Sequence, residues 1–174
     1  MIHHNIYKVP KFLEHKKNLI DLIYKIPITH LVKGEKISHQ DYNLPKNIER
    51  DYIDYFKKNI FKGFATHFCD FIGINRIEIS ELWFQVYEKE DFHEYHTHMR
   101  TNFTNVFYIN LPHREIKTQI KDKNKNFNIN VEEGDILSFP GYYPHCSPIN
   151  TYDESKIIIS FNMDCVYGKN YNLK

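Results

Sequence analysis

The sequence predicts a mainly β protein, a sandwich or jelly roll with helices packed in front of it. Three observations carry this. From Ile74 onward, apolar residues recur at every second position in at least six short runs separated by turn residues. Before that point they recur at helical spacing. Aromatic residues make up 16% of the chain, with 13 Phe, 13 Tyr and 1 Trp, and such flat side chains suit a β core or a lined pocket. No repeat, low-complexity stretch or linker divides the chain, so residues 1–174 are expected to form a single domain. Residues 1–72 would be its mostly helical N-terminal part and 74–164 its β core.

Taken in order, Phe12, Leu19, Ile20, Ile23 and Ile26 trace the first helix, which Pro27 stops. A polar loop from Lys33 to Lys46, with Gly34 and Pro45, follows. Asn47 is placed to cap a second helix with Glu49 in its first turn, and Ile48, Tyr52, Ile53, Phe56 and Ile60 form one stripe of it. In the first strand, Ile77, Ile79, Trp83, Gln85 and Tyr87 are expected on one face, and Leu82, Phe84 and Val86 on the other. A strand apolar on both faces is covered on both. Thr104–Leu111 is a second such run. Ile116–Lys121 and Phe127–Val131 alternate apolar and polar residues around a hairpin tip at Lys121–Asn126. Glu133-Gly134-Asp135 turns into Ile136–Phe139, and Lys156–Met163 is the last strong strand.

Composition removes several function classes. Lys+Arg (23) nearly balance Asp+Glu (22), which argues against a generic nucleic-acid or membrane-surface binder. No apolar run approaches the roughly 18 residues of a membrane helix. The opening Met1-Ile2-His3-His4 lacks a charged segment ahead of an apolar one, so no signal peptide is expected. Three scattered cysteines, Cys69, Cys146 and Cys165, are not a disulfide framework and point to a reducing, cytoplasmic setting.

The chemistry concentrates in Asp91-Phe92-His93-Glu94-Tyr95-His96-Thr97-His98 and in Pro144-His145. Residues two apart on a strand share a face, so His96 and His98 can present their imidazoles together. His145, following the Ile136–Phe139 strand, supplies a distant third. Two ligands close in sequence and one remote let a β-barrel grip a metal and leave a face open to substrate. Imidazoles suit iron, zinc, copper or nickel. His93 with His96 fits a helix better than a strand. His3, His4, His15, His30, His39, His67 and His113 read as surface or internally satisfied histidines.

The order Trp83-x-Gln85-x-Tyr87, His96-Thr97-His98, Val106-Phe107-Tyr108, Gly134-Asp135 through Phe139-Pro140, Pro144-His145 and Ile159-Ser160-Phe161-Asn162 resembles the short 2-oxoglutarate- and iron(II)-dependent oxygenases of marine bacteria and their phages. The likeness spans residues 80 to 164, about half the chain. It implies a double-stranded β-helix, the cupin-like jelly roll, holding Fe(II) at its open end. It also implies oxidative decarboxylation of 2-oxoglutarate to succinate coupled to hydroxylation of a second substrate. His96 and His145 match two metal ligands. His98 stands where the family carries Asp or Glu, so the expected ligand set is His96, His98 and His145. Lys156 and Ile158 stand where the family carries the Arg and Ser that hold the far carboxylate of 2-oxoglutarate. Lys156 can supply a point charge there, but not a fork. Gln85, Tyr108, Asn110 and Ser160 are the other expected cosubstrate contacts, with Trp83 read as core packing and Cys146 as a small buried residue.

Two rival readings follow from the same residues. The departures at His98, Lys156 and Ile158 favour a cupin-like three-histidine zinc or iron enzyme that does not use 2-oxoglutarate. A non-enzymatic jelly-roll module is the other. The expected partners are a small-molecule cosubstrate and an unidentified primary substrate.

Overall fold

The computed structural model describes residues 3–27, 35–45, 47–123 and 125–166. Gly34 and Lys46 of the expected polar loop, and His30, lie outside them. The elements run β1 (Asn5–Lys8), α1 (Phe12–Ile23), β2 (Glu35–Lys36), β3 (His39–Gln40), α2 (Asp51–Phe56), α3 (Lys62–Ile72), β4 (Ile77–Tyr87), β5 (Phe92–His96), β6 (Phe103–Asn110), β7 (Gln119–Asp122), β8 (Lys125–Phe127), β9 (Asp135–Pro140), β10 (His145–Ser147) and β11 (Lys156–Cys165). They build two antiparallel sheets, β1-β9-β6-β11-β4-β3 and β2-β5-β10-β7-β8. This is the mainly β, jelly-roll architecture that the sequence predicts.

The N-terminal part is not purely helical. Its β1 pairs with β9, β2 with β5 and β3 with β4, so it supplies edge strands to both sheets. Strands of four and two residues are too short to show a period, and their pairing depends on partners far along the chain.

The helices cover the outer face of the six-stranded sheet. Tyr52, Phe56, Ile60, Phe64 and Phe68 are all buried at four-residue spacing. On a regular α-helix that spacing drifts by about 40° per step. A π-helical turn at Lys57–Phe61 joins α2 to α3 and winds the stripe back, so one face stays on the sheet. The second helix starts at Asp51 rather than at the expected Asn47. Asn47 and Ile48 belong to a preceding turn in which the Ile48 N–H donates to the Pro45 carbonyl, and Asp51 and Asp54 provide the first-turn charge. Buried Asp41 locks this layer to the sheet. It accepts the Phe84 N–H (2.9 Å) and the Tyr52 hydroxyl (2.6 Å) beside Arg50.

Strand β11 is buried on both faces. Ile157, Ile159, Phe161 and Met163 pack under the helices, while Ile158 joins Tyr87, Tyr108 and Phe139 between the sheets. Phe161 meets the rings of Phe56 (5.3 Å) and Phe64 (5.5 Å). Phe161→Ala should therefore lower unfolding free energy by about 3–5 kcal/mol, read by urea titration of the metal-free protein. A loss below 1 kcal/mol would contradict this packing.

One expectation for β4 fails. Asn162 pairs with Glu81 and Met163 with Ile79, so Ser80 is an extra residue in the ladder. The bulge flips the parity. Ile77 and Ile79 face the helices with Phe84 and Val86, while Trp83, Gln85 and Tyr87 face the interior.

Candidate metal centre

β5 and β10 lie side by side, with His96 opposite His145 and His93 opposite Ser147. Three steps on β5 therefore oppose two on β10. This second bulge brings His93 and His96 to the same face, with their rings stacked 4.0 Å apart, and leaves Glu94 and Tyr95 exposed. The sequence reading missed His93 because a regular strand puts it opposite to His96.

His98 arrives by another route than the strand pleat. β5 ends at His96, and the His98 N–H donates to the Gly141 carbonyl (2.8 Å). A Cβ on Gly141 would lie 2.6 Å from the His98 carbonyl oxygen, so glycine permits this approach. His96, His98 and His145 then offer ligand atoms that all lie within 4.8 Å of one another.

Hydrogen bonds fix two of the imidazoles. His96 Nδ1 faces the Glu94 carbonyl (2.8 Å) and His145 Nδ1 the Tyr143 carbonyl (3.1 Å). A carbonyl only accepts, so both Nδ1 atoms carry the proton and both Nε2 lone pairs are free. Burial pushes His145 well below the usual imidazole range, lowers His96, and takes His98 to about 4 and His93 to about 3. All four are neutral at pH 7, the form that binds metal. Three neutral imidazoles fit a divalent transition ion such as Fe(II) or Zn(II).

His98 is held differently. The Asn162 amide nitrogen lies 3.2 Å from His98 Nδ1 and donates to Glu81 Oε2 (2.8 Å), while Thr104 Oγ donates to Asn162 Oδ1 (3.2 Å). Glu81 was not singled out from the sequence, and Asn162 entered it only as the end of a motif.

The four histidines share a narrow cavity of about 20 Å³ with Trp83, Gln85, Ile158 and Ser160. The Ser160 hydroxyl donates to Gln85 Oε1 (3.2 Å), and Gln85 Nε2 sits 3.4 Å from His93 Nδ1. Lys156 is fully buried on the same face of β11 as Ile158 and Ser160, and not solvated as a strand-start lysine would be. Its ammonium donates to Ser147 Oγ (2.8 Å), lies 4.9 Å from the Tyr87 ring centre, and has no carboxylate among the described residues within ion-pair distance. Burial lowers its pKa to about 7.

The other expected cosubstrate contacts divide. Gln85 and Ser160 line the cavity. Tyr108 is buried between the sheets, where its hydroxyl accepts the Thr118 N–H (3.3 Å). Asn110 is not brought to the cavity. Tyr108 pairs with Ile158 but Asn110 with Ile157, so an extra residue at Ile109 breaks their shared parity, and the Asn110 amide donates to the Ser155 carbonyl (2.7 Å). Trp83 is buried, as expected of core packing, but also lies between Tyr42 and His98. Cys146 is buried, with its thiol toward Gln119. His15, His39, His67 and His113 meet Tyr55, the Ile26 carbonyl, Asn5 and Tyr152.

Comparison with solved structures places this architecture. A viral collagen prolyl hydroxylase from Paramecium Bursaria Chlorella virus-1, solved with 2-oxoglutarate, aligns at a TM-score of 0.60 and 14% identity, over 94% of this chain and 96% of its own. A 2OG-Fe(II) oxygenase family oxidoreductase from Burkholderia pseudomallei aligns at 0.70 and 10% identity, over 92% and 84%. HygX from Streptomyces hygroscopicus, with nickel, 2-oxoglutarate and hygromycin B bound, aligns at 0.68 and 7% identity, over 95% and 84%. The fold is that of the 2-oxoglutarate oxygenases. No family model matches the sequence, and a search of curated proteins finds no match. At these identities the likeness establishes the fold, and the chemistry has to be argued from the site.

Proposed function

We propose that this protein is an Fe(II)- and 2-oxoglutarate-dependent dioxygenase that hydroxylates a second substrate. One observation carries the reading. A buried lysine with no carboxylate partner among the described residues lies beside the histidine cavity, on the strand that lines it. A buried ammonium is unfavourable unless paired. A dicarboxylate supplies the missing charge at Lys156 and leaves its other end for the metal. The fold and the 2-oxoglutarate held by structural neighbours support this choice.

In this reading His96 and His145 ligate the metal and His98 completes the cluster around it. Lys156 with Ser147 neutralises the far carboxylate. Gln85 and Ser160 provide polar contacts along the wall, and buried Tyr108 closes the site from behind. Bound Fe(II) supplies the redox chemistry that couples oxygen reduction to decarboxylation and hydroxylation. The cavity holds about one water, so a five-carbon dicarboxylate enters only as side chains yield, and the long Gln85–His93 contact is the weakest part of the wall. The primary substrate reaches the His98 side through a groove of about 510 Å³ lined by Tyr42, Ser80, Glu81, Met99 and Arg100.

The whole chain is read as one domain, since its N-terminal strands complete both sheets. Cys69, Cys146 and Cys165 form no disulfide among the described residues, which suits a reducing cytoplasm. No helix among the described residues is long and apolar enough to cross a membrane.

Anaerobic calorimetry of the Fe(II)-loaded protein with 2-oxoglutarate tests the reading, followed by succinate release in air. Metal binding without 2-oxoglutarate binding would replace it with the three-histidine metalloenzyme, which the missing carboxylate at position 98 favours. Neither binding would leave a non-enzymatic jelly roll.

The pH dependence is a sharper signature. Lys156 is neutral above pH 7 in the ligand-free protein, whereas pairing with a carboxylate requires it charged. Affinity should be flat below pH 7 and fall about tenfold per unit above it. Calorimetry at pH 8 in two buffers of different ionisation enthalpy should show uptake of nearly one proton per ligand, and almost none at pH 6. Equal proton uptake at both pH values would remove Lys156 from the site.

A further inference from the structure

His98 has a proton arrangement opposite to that of its two neighbours. His96 and His145 point Nδ1 at carbonyl oxygens. His98 points Nδ1 at the amide nitrogen of Asn162, 3.2 Å away. That amide cannot simply be turned over. Glu81 Oε2 lies 2.8 Å from the same nitrogen, and exchanging nitrogen for oxygen would press Asn162 Oδ1 against a carboxylate. Asn162 is 2% exposed, and its oxygen already accepts from Thr104 Oγ. One amide hydrogen goes to Glu81 and the other to His98. Nδ1 of a neutral His98 is then an acceptor, and its proton sits on Nε2. An Nε2 that carries a proton has no lone pair for a metal.

We infer that His98 is a hydrogen-bond donor to the exogenous ligand at the third metal position, and that the protein's own ligands are His96 and His145 alone. The inference rests on the metal-centre part of the proposed function and refines its ligand set. It also gives a physical reason for a histidine where a carboxylate ligand is expected. A two-histidine ion keeps its full positive charge and one more exchangeable position. The His98 N–H selects for an anion there, because it stabilises negative charge and meets no lone pair of its own ring. Glu81 and Asn162 are positioning residues that act through the His98 tautomer.

The test uses Co(II) as the metal probe and azide as the anion probe on the full chain. Co(II) affinity should fall at least 100-fold in His96→Ala and His145→Ala but stay within about threefold of wild type in His98→Ala. Azide should bind the Co(II) form of His98→Ala at least about tenfold more weakly than wild type, an effect that a merely structural role would not produce. The pair Glu81→Gln with Asn162→Asp works in the opposite direction. An aspartate can only accept, so it moves the His98 proton to Nδ1, frees Nε2, and should raise Co(II) affinity at least about tenfold. Loss of Co(II) from His98→Ala as severe as from His145→Ala overturns the inference and leaves the metal centre standing. A wild-type protein that binds no Co(II) overturns both. Metal binding without 2-oxoglutarate binding removes only the dioxygenase reading.

Discussion

Replacing His145 with alanine should weaken transition-metal binding at least 100-fold while leaving the fold intact. The loss of a supporting contact alone reduces metal affinity 10- to 100-fold, and His145 is proposed as a direct ligand. Its ring is buried against Phe139 and within 4.3 Å of His96, with Nδ1 already committed to the Tyr143 carbonyl. Equilibrium dialysis against Co(II) or Fe(II) reads the effect directly, and affinity within threefold of wild type would refute the site. The same variant makes a second, independent prediction. In the metal-free protein His145 stays neutral well below its unfolded pKa of about 6.5. The unfolded chain takes up a proton there that the folded one does not. Stability is therefore lost as pH falls below about 6.5. His145→Ala should make that acid limb shallower in urea unfolding between pH 6.5 and 5, leaving the share that buried His93, His96 and His98 contribute.

Lys156→Met should weaken 2-oxoglutarate binding by at least about tenfold and yet stabilise the ligand-free protein. On the binding side, a charge-assisted hydrogen bond is worth about 1.5–3 kcal/mol, or roughly 10- to 150-fold in affinity. Leaving a carboxylate buried without a cation adds to that. Lys156→Arg should keep part of the binding, since the charge is retained. On the stability side, folding strips the ammonium of water and returns one neutral hydroxyl partner and the Tyr87 ring face. The fall of its pKa from 10.5 to about 7 measures that unfavourable transfer. The penalty is fully present at and below pH 7, where the unfolded chain holds a proton that the folded site resists. It fades as pH rises toward 10.5. Methionine fills similar space without charge, so the gain should be on the order of a few kcal/mol at pH 7 and shrink at pH 10. A destabilised Lys156→Met at pH 7 would mean that the lysine has a partner in the free protein and is not held for a ligand.

That lysine marks how far sequence reasoning reaches. Its presence on the inward face of β11 was legible, because Lys156, Ile158 and Ser160 alternate with Ile157, Ile159 and Phe161. Its burial was not, since a lysine at the start of a strand is usually solvated. His96 and His145 were legible as a local residue and a remote one framing a β core. Three β-bulges were not. The extra residues at Ser80 and Ile109 and in β5 each shift parity by one. They move Ile77 and Ile79 to the helical face, take Asn110 away from the cavity and bring His93 into it. Nothing in a period-2 pattern records where a ladder admits one residue too many, because that depends on the partner strand.

The sequence by itself therefore determined the β class, the helical cover and the strands that carry the candidate chemistry, because alternation and helical spacing are local properties of a chain burying apolar area. Only the tertiary structure decided which side chains share the cavity and in what protonation form they meet there. The Gly141 approach that turns His98 inward and the Glu81–Asn162 pair that sets its proton join residues from separate strands and loops. The ring proton follows hydrogen-bond partners that the chain supplies only after it has folded.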